Sequence, residues 1–94
     1  MEIGYAIVLH PTVIAKDIPR LDAEWKQKIR DAVRAKLTVM PELYGVPLRH
    51  NLKGKRKLRV GDYRVVYHAE KKNVRILAIG HSSEVYKEVL KRIG

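Results

Sequence analysis

Cysteine is absent from the 94-residue chain, and its absence removes three kinds of chemistry. The protein can form no disulfide, can bind no zinc through thiolates and has no thiol nucleophile. The four histidines offer no substitute metal motif, because none of them are related by HxxH or HxxxH spacing: His10, His50, His68 and His81. We therefore expect neither a metal ion nor any other cofactor.

Long apolar runs are also missing. The longest one, Tyr5 to Leu9, is far shorter than the ~20 residues that a helix needs to cross a bilayer. No basic segment at the N-terminus leads into an apolar core of signal-peptide length. We expect a cytoplasmic protein that has no membrane partner.

Acidic residues are few. The chain has 10 Asp and Glu against 20 Lys and Arg, which gives a formal net charge of +10 and a pI near 10.1. An excess of this size favours polyanionic partners such as nucleic acid. With 94 residues, of which 46% are hydrophobic, the chain is long enough for one small core and too short for two. We assign residues 1–94 to a single domain.

The first half of the chain predicts one strand and two helices. Residues 3–9 are rich in β-branched and aromatic side chains, which favour a strand. Thr12 to Ile18 predicts a short helix that ends near Pro19. The next helix begins at Asp22, a good capping residue, and runs to Pro41, because apolar residues recur three or four apart: Trp25, Ile29, Val33, Leu37 and Met40.

The second half predicts three strands and a final helix. Residues 41–54 contain two prolines and two glycines, which indicates an irregular connection with a short extended piece at Val46 to Leu48. Three strand-like runs follow at hairpin spacing: Lys55 to Val60, Tyr63 to Ala69 and Val74 to Ile79. Ser82 or Ser83 can cap the last helix. The order β-α-α-β-β-β-α predicts an α+β fold in which helices cover one face of a mainly antiparallel, four-stranded sheet.

Positive charge is concentrated between residues 49 and 64. This window holds seven basic residues and one acid, so it carries six of the ten excess charges. If Gly61-Asp62 is a two-residue turn, Val60 pairs with Tyr63 and Arg59 with Arg64. Alternation along the strands then places one set of side chains on a basic face: Lys55, Lys57, Arg59, Arg64, Val66 and His68. The core face carries Leu58, Val60, Tyr63, Val65 and Tyr67, with Arg56 as the exception.

Such a basic face conflicts with stability. Like charges directly opposite on neighbouring strands are unfavourable by up to ~1 kcal/mol per pair. One interpretation is a solvated surface whose long side chains splay into water. The alternate spacing on two paired strands favours the other interpretation, in which the cations converge on a ligand.

Several familiar catalytic patterns do not fit this chain. Gly54-Lys55 is not a phosphate-binding P-loop, because Arg49 stands where that loop needs glycine and no serine or threonine follows the lysine. Helix capping explains Ser82 and Ser83 better than nucleophilic catalysis beside His81 does. Paired carboxylates for sugar or metal chemistry are lacking.

The chemistry that remains is phosphodiester cleavage assisted by cations. Attack by the 2′-hydroxyl of RNA needs a base, positive charge on the pentacovalent phosphate and an acid for the leaving 5′-oxygen. Clustered cations supply the charge, and a lysine among other cations has a lowered pKa that suits proton transfer. Tyr86 is positioned to transfer a proton, to stack on a base or simply to pack against the sheet.

The residues of this region resemble a known family. The run from Leu52 to Tyr67, followed by Ile79-Gly80-His81 and by Ser83-Glu84-Val85-Tyr86, is similar to the RelE branch of the RelE/ParE toxins of type II toxin–antitoxin systems. The similarity extends over nearly the whole chain, including its length and its element order. It implies the RelE-like fold.

The resemblance also implies an activity and a set of site residues. RelE-like toxins are ribosome-dependent endoribonucleases that enter the A site and cleave mRNA by 2′-hydroxyl attack without metal, thereby inhibiting translation. The catalytic roles would fall on Lys55, Lys57, Arg64 and Tyr86. We expect further RNA and phosphate contacts from Arg49, Lys53, Arg56, Arg59, His68 and His81. The implied partners are the ribosome, its mRNA and a cognate RelB-like antitoxin.

One departure from the RelE pattern leaves alternatives open. RelE-like toxins carry an arginine just ahead of the last helix, where this chain has Ser82 and Ser83. The activity of this chain is therefore expected to be reduced if His81 does not compensate. Two other readings are a ParE-like toxin that poisons DNA gyrase and a non-enzymatic RNA- or ribosome-binding module. Lys55, Lys57 and Tyr86 argue against the ParE-like reading, because ParE-like toxins generally lack them.

Overall fold

The computed structural model describes residues 4–93 and contains a five-stranded sheet. The strands are β1 (Ala6–Leu9), β2 (Val46–Pro47), β3 (Arg56–Val60), β4 (Tyr63–Glu70) and β5 (Asn73–His81). Their order across the sheet is β1-β5-β4-β3-β2, with β1 parallel to β5 and the other neighbours antiparallel. The predicted α+β class and the mainly antiparallel sheet are confirmed.

The predicted number of strands, four, is too low by one. Val46 pairs with Lys57 and Pro47 with Arg56, so the expected extended piece joins the sheet as β2. The strand has only two residues, too few for alternation to reveal it. Pro47 is tolerated because β2 is an edge strand, where a missing N–H donor costs no internal ladder bond.

Within residues 4–93, four helical segments of four or more residues accompany the sheet: α1 (residues 11–20), α2 (residues 23–37), α3 (Pro41–Tyr44) and α4 (Val85–Ile93). Asp22 caps α2 as predicted, since its Oδ1 accepts a hydrogen bond from the Trp25 N–H at 3.0 Å. The helix ends at Leu37 and not at Met40, whose side chain is exposed. Pro41 begins the short α3, in agreement with the preference of proline for a first helical turn.

Within residues 4–93, no helix combines the length and the apolar character that a membrane crossing needs.

The prediction that serine caps the last helix is wrong. Helix α4 begins at Val85, and the Ser83 hydroxyl lies 3.1 Å from Nδ1 of His81. Ser82 also remains outside the helix, where its N–H donates to the Asp62 carbonyl at 3.1 Å. The two serines therefore belong to the turn between β5 and α4.

Helices cover both faces of the sheet, so the prediction of a single covered face is also wrong. One buried cluster joins α1 and α2 to Leu58, Val65 and Tyr67. A second cluster joins Val85 and Val89 of α4 to the other face. Val66 belongs to the second cluster because it alternates with Val65 and Tyr67 along β4. An apolar residue in the middle of the predicted basic face therefore marks the site where α4 packs.

The β3–β4 hairpin has the register that the sequence predicts. Val60 pairs with Tyr63, Arg59 with Arg64 and Lys57 with Val66. Gly61 has φ +61°, a backbone conformation that glycine adopts without strain. A Cβ atom at this position would also overlap the indole ring of Trp25. Helix α2 therefore packs directly against the turn and fixes the end of the hairpin.

Tyr67 is the largest fully buried side chain among residues 4–93. Its hydroxyl donates a hydrogen bond to the Pro41 carbonyl, which joins the sheet to α3. Burial raises the pKa of Tyr67 to about 12, although the charge of nearby Arg56 opposes the shift. The phenol is therefore held neutral at the point where β4 meets the α3 segment.

This raised pKa predicts a loss of stability in strong base. Between pH 10 and about 12 the unfolded chain loses the Tyr67 proton while the folded chain keeps it, so the free energy of unfolding falls. The neutral, buried phenol of Tyr67 contributes its full stabilisation below pH 10. This contribution, about 2–3 kcal/mol, is lost as the pH rises to about 12. Urea unfolding from pH 9 to 12 should show a shallower decline for Tyr67→Phe than for the wild type. Equal declines would contradict the assignment.

Candidate functional site

The basic face predicted from the sequence comprises Lys55, Lys57, Arg59, Arg64, Val66 and His68. All of these except Lys55 lie on β3 or β4, on the side of the sheet that α4 covers. The strand register arranges it in rows across β3, β4 and β5. Lys57, Val66 and Ala78 form one row, and Arg59, Arg64 and Gly80 form the next. Because α4 packs over Val66 and Ala78, the charged residues of β3 lie beside the helix and not beneath it.

Lys57 and Tyr86 come together at the border between β3 and α4. Nζ of Lys57 lies 5.7 Å from the centroid of the Tyr86 ring, within the range of a cation–π interaction. The Tyr86 ring packs against the apolar cluster beneath α4 and is half-buried, as is Lys57. Two predicted catalytic residues that are distant in sequence are therefore neighbours in the fold.

Arg64 and Arg59 converge on the carbonyl of Gly61. Nη1 of Arg64 donates to the Gly61 and Tyr63 carbonyls at 3.0 and 2.9 Å, and Nε of Arg59 donates to Gly61 at 3.4 Å. These bonds offset part of the repulsion between two arginines that face each other across the hairpin. The arrangement concentrates two guanidinium groups at the turn end of the basic face.

Lys55 immediately precedes β3, next to a loop that His68 restrains. Nδ1 of His68 lies 3.0 Å from the Gly54 carbonyl, so this nitrogen carries the hydrogen and donates it. Nε2 of His68 lies 3.6 Å from a carboxylate oxygen of Glu70. Gly54 has φ +91°, which allows the sharp entry into β3. His68 therefore holds the backbone next to Lys55.

The structure does not bring every predicted residue to the basic face. Arg56 points to the opposite face, where its Nη1 donates to the Gly45 carbonyl at 2.8 Å. His81 pairs with Tyr63, and their rings meet edge to face at 6.1 Å on the side of α2. Alternation along β3 already places Arg56 on the core face, whereas the face of His81 follows only from the β4–β5 register. Arg49 and Lys53 are exposed on either side of a 3₁₀ turn, His50–Leu52, in the loop before β3.

Arg75 lies next to the basic face and is not among the site residues predicted from the sequence. It is exposed on β5 and pairs with His68, so it extends the positive surface onto a third strand. The sequence contains a signal for it, because Arg75 is the only charged residue in the otherwise apolar run from Val74 to Ile79. Recognising it required the β4–β5 register, which includes a bulge between Val66 and Tyr67.

The site combines the ammonium group of Lys57, which lies beside the phenol of Tyr86, with guanidinium groups in the next row of the sheet, those of Arg59 and Arg64. Cations of this kind bind phosphate oxygens and stabilise negative charge that develops on them. A tyrosine hydroxyl donates or accepts a proton, and its ring stacks on nucleobases. Within residues 4–93, no cluster of three or more acidic or histidine side chains is arranged to hold a metal ion.

Comparison with known families gives a match over residues 9–86 to the family described as the ParE toxin of the type II toxin–antitoxin system parDE. The chain belongs to this family. No curated protein sequence matches it.

Solved structures of RelE and ParE toxins share the fold. A chain in the RelBE2 toxin–antitoxin complex of Mycobacterium tuberculosis is 26% identical, with a TM-score of 0.77 over 84% of this chain and 99% of that one. A doubly substituted variant of Escherichia coli RelE in the free state is 23% identical, with a TM-score of 0.77 over 97% and 99% of the two chains. A chain of the chromosomal ParDE system of Pseudomonas aeruginosa is 16% identical, with a TM-score of 0.60 over 85% and 98%. The protein is thus a type II toxin of the RelE/ParE superfamily.

Proposed function

We propose that this toxin is an endoribonuclease that cleaves mRNA in the ribosomal A site and so inhibits translation. The observation that carries the proposal is the contact of Lys57 with Tyr86, 5.7 Å from Nζ to the ring centroid. This pair lies on the face that also presents Arg59 and Arg64. A gyrase-binding surface has no evident need for a cation and a phenol in contact, whereas phosphodiester cleavage uses both.

The proposed reaction is an internal transfer at phosphorus. The 2′-oxygen of the RNA bonds to the adjacent phosphorus, the bond from phosphorus to the 5′-oxygen breaks, and a 2′,3′-cyclic phosphate and a 5′-hydroxyl result. Arg64, Lys55 and Lys57 stabilise the charge on the pentacovalent phosphate. The 2′-hydroxyl proton passes to a base, and the leaving oxygen takes a proton from an acid, with Tyr86 and Lys57 as the candidate groups.

An antitoxin and the ribosome are the proposed partners. The solved complexes from M. tuberculosis and P. aeruginosa are toxin–antitoxin assemblies, which supports an antitoxin for this chain. A net charge of +10 favours both an acidic neutralising segment and ribosomal RNA. Both partners imply that the toxin acts in the cytoplasm.

A ParE-like action on gyrase remains the second candidate because the matching family is named for ParE. The two actions separate in purified systems. We expect new 5′ ends within A-site codons when the toxin is added to a translating system and the mRNA is mapped by primer extension. Gyrase supercoiling should proceed unchanged at the same toxin concentration. Inhibited supercoiling with intact mRNA would favour the ParE-like action, and RNA binding with neither effect would favour a binding module.

A further inference from the structure

Asp17 of α1 and Arg92 of α4 form a buried ion pair near the two ends of the chain. Nη1 and Nη2 of Arg92 lie 2.7 and 2.9 Å from the two carboxylate oxygens of Asp17. Each side chain is 5% exposed. This two-point geometry fixes both the distance and the orientation between the helices.

The same pair binds the backbone of β5. Oδ2 of Asp17 accepts the Ile79 N–H at 2.9 Å, and Nη1 of Arg92 donates to the Leu77 carbonyl at 2.9 Å. The neighbouring strand β1 pairs with β5 only as far as Ile76. Beyond that point the ion pair satisfies backbone groups that a longer β1 would have bonded.

The remaining contacts of α4 with the sheet are mainly apolar. Val85 and Val89 are buried against Val66, Leu77 and Ala78. Apolar burial is not directional, so the two valines restrict a shift or rotation of the helix less strictly than hydrogen bonds do. The ion pair allows neither, because its partners include two fixed backbone atoms of β5.

A buried ion pair is weak evidence for stability, since apolar residues of similar size often stabilise as well or better. Its better-attested use is to fix register. In this chain the cost is visible, because Nε of Arg92 is buried without a hydrogen-bond partner among the described residues. The position of the helix is what the pair determines.

Tyr86 lies on the same helix, in its first turn, with Lys57 beside its ring. We propose that the Asp17–Arg92 pair is a positioning device that sets the register of α4 and thereby holds Tyr86 against Lys57. The part that concerns catalysis rests on the proposed endoribonuclease function. The part that concerns position does not.

The test replaces the pair by apolar residues, Asp17→Leu with Arg92→Met, and reports on Tyr86 through 3-fluorotyrosine at position 86. In the otherwise unchanged protein, Lys57→Met shifts the fluorine resonance, because an ammonium group leaves the ring. In the Leu/Met background we expect less than half of that shift, while circular dichroism still shows a folded protein. A shift of the same size in both backgrounds would overturn the proposal.

Cleavage kinetics supply the second readout. We expect kcat for the Leu/Met variant to fall by ~10- to 100-fold with KM within about twofold, and Arg92→Lys to retain an intermediate rate. The matched control removes the exposed ion pair of α2 by Glu24→Leu with Lys28→Met. We expect this control to leave both the fluorine shift and kcat at their wild-type values. If no variant cleaves RNA, the proposed function is wrong and the fluorine shift still decides on position. A wild-type rate in the Leu/Met variant would contradict the positioning role alone.

Discussion

Lys57→Met is expected to lower the single-turnover rate of A-site mRNA cleavage by about 100- to 1000-fold. Removal of one donor that stabilises developing negative charge has an effect of this size in other enzymes. Methionine keeps the length and the apolar stem of lysine, so the half-buried side chain can still pack beside Tyr86. The loss of cleavage rate would therefore be caused by the missing ammonium group and not by a change in the fold.

A matched control separates the effect of a positive charge at the site from the effect of the overall charge of the protein. Lys26→Met removes one positive charge from an exposed position on α2, across the sheet from the basic face. We expect it to retain nearly the full cleavage rate and to reduce RNA affinity no more than Lys57→Met does. Similar rates for the two variants would show that Lys57 contributes only to the overall field, and the proposed site would be wrong.

The sequence predicts the β3–β4 hairpin correctly because the residues that determine the hairpin lie next to one another in the chain. A glycine that can adopt positive φ at position 61, followed by Asp62, sets the turn. Once the turn is set, the period of two along each strand determines every pair up to Lys57 and Val66. The placement of Lys57 and Arg64 on one face follows from the same arithmetic.

Other features depend on contacts between distant segments. The helix on the basic side of the sheet follows from the burial of Val66 beneath Val85 and Val89, and no local pattern specifies that partner. The bulge in the β4–β5 ladder shifts the register, so alternation alone misplaces His81. The Asp17–Arg92 pair joins residues near opposite ends of the chain, which neither spacing nor composition reveals.

The composition indicates a protein that binds polyanions, but in the structure some of the basic side chains serve the fold instead. Arg56 and Arg92 serve the fold, since they bind the Gly45 carbonyl and the Asp17 carboxylate. Arg59 and Arg64 are partly engaged by the turn that they flank. Lys57 contacts the Tyr86 ring and has no carboxylate partner among the ion pairs of residues 4–93. The ion pairs of residues 4–93 thus leave the charge of Lys57 available to a ligand.

Ser82→Arg is expected to raise the cleavage rate by ~10- to 100-fold, part of the 100- to 1000-fold range that one phosphate-stabilising donor can contribute. The Ser82 N–H donates to the Asp62 carbonyl at 3.1 Å, so residue 82 is held beside the β3–β4 turn. Arg59 and Arg64 converge at that turn. A third guanidinium there would add a donor at the end of the basic face where the RelE pattern carries an arginine.

Two control variants identify the origin of the gain. Ser82→Gln adds length and hydrogen-bonding capacity without charge, and Ala35→Arg adds the same guanidinium at an exposed position on α2. Single-turnover rates at saturating ribosome concentration should rise for Ser82→Arg and stay near wild type for both controls. An equal gain with Ala35→Arg would assign the effect to long-range attraction. An unchanged rate with Ser82→Arg would mean that Arg59, Arg64 and the two lysines already supply all the stabilisation that the phosphate can use.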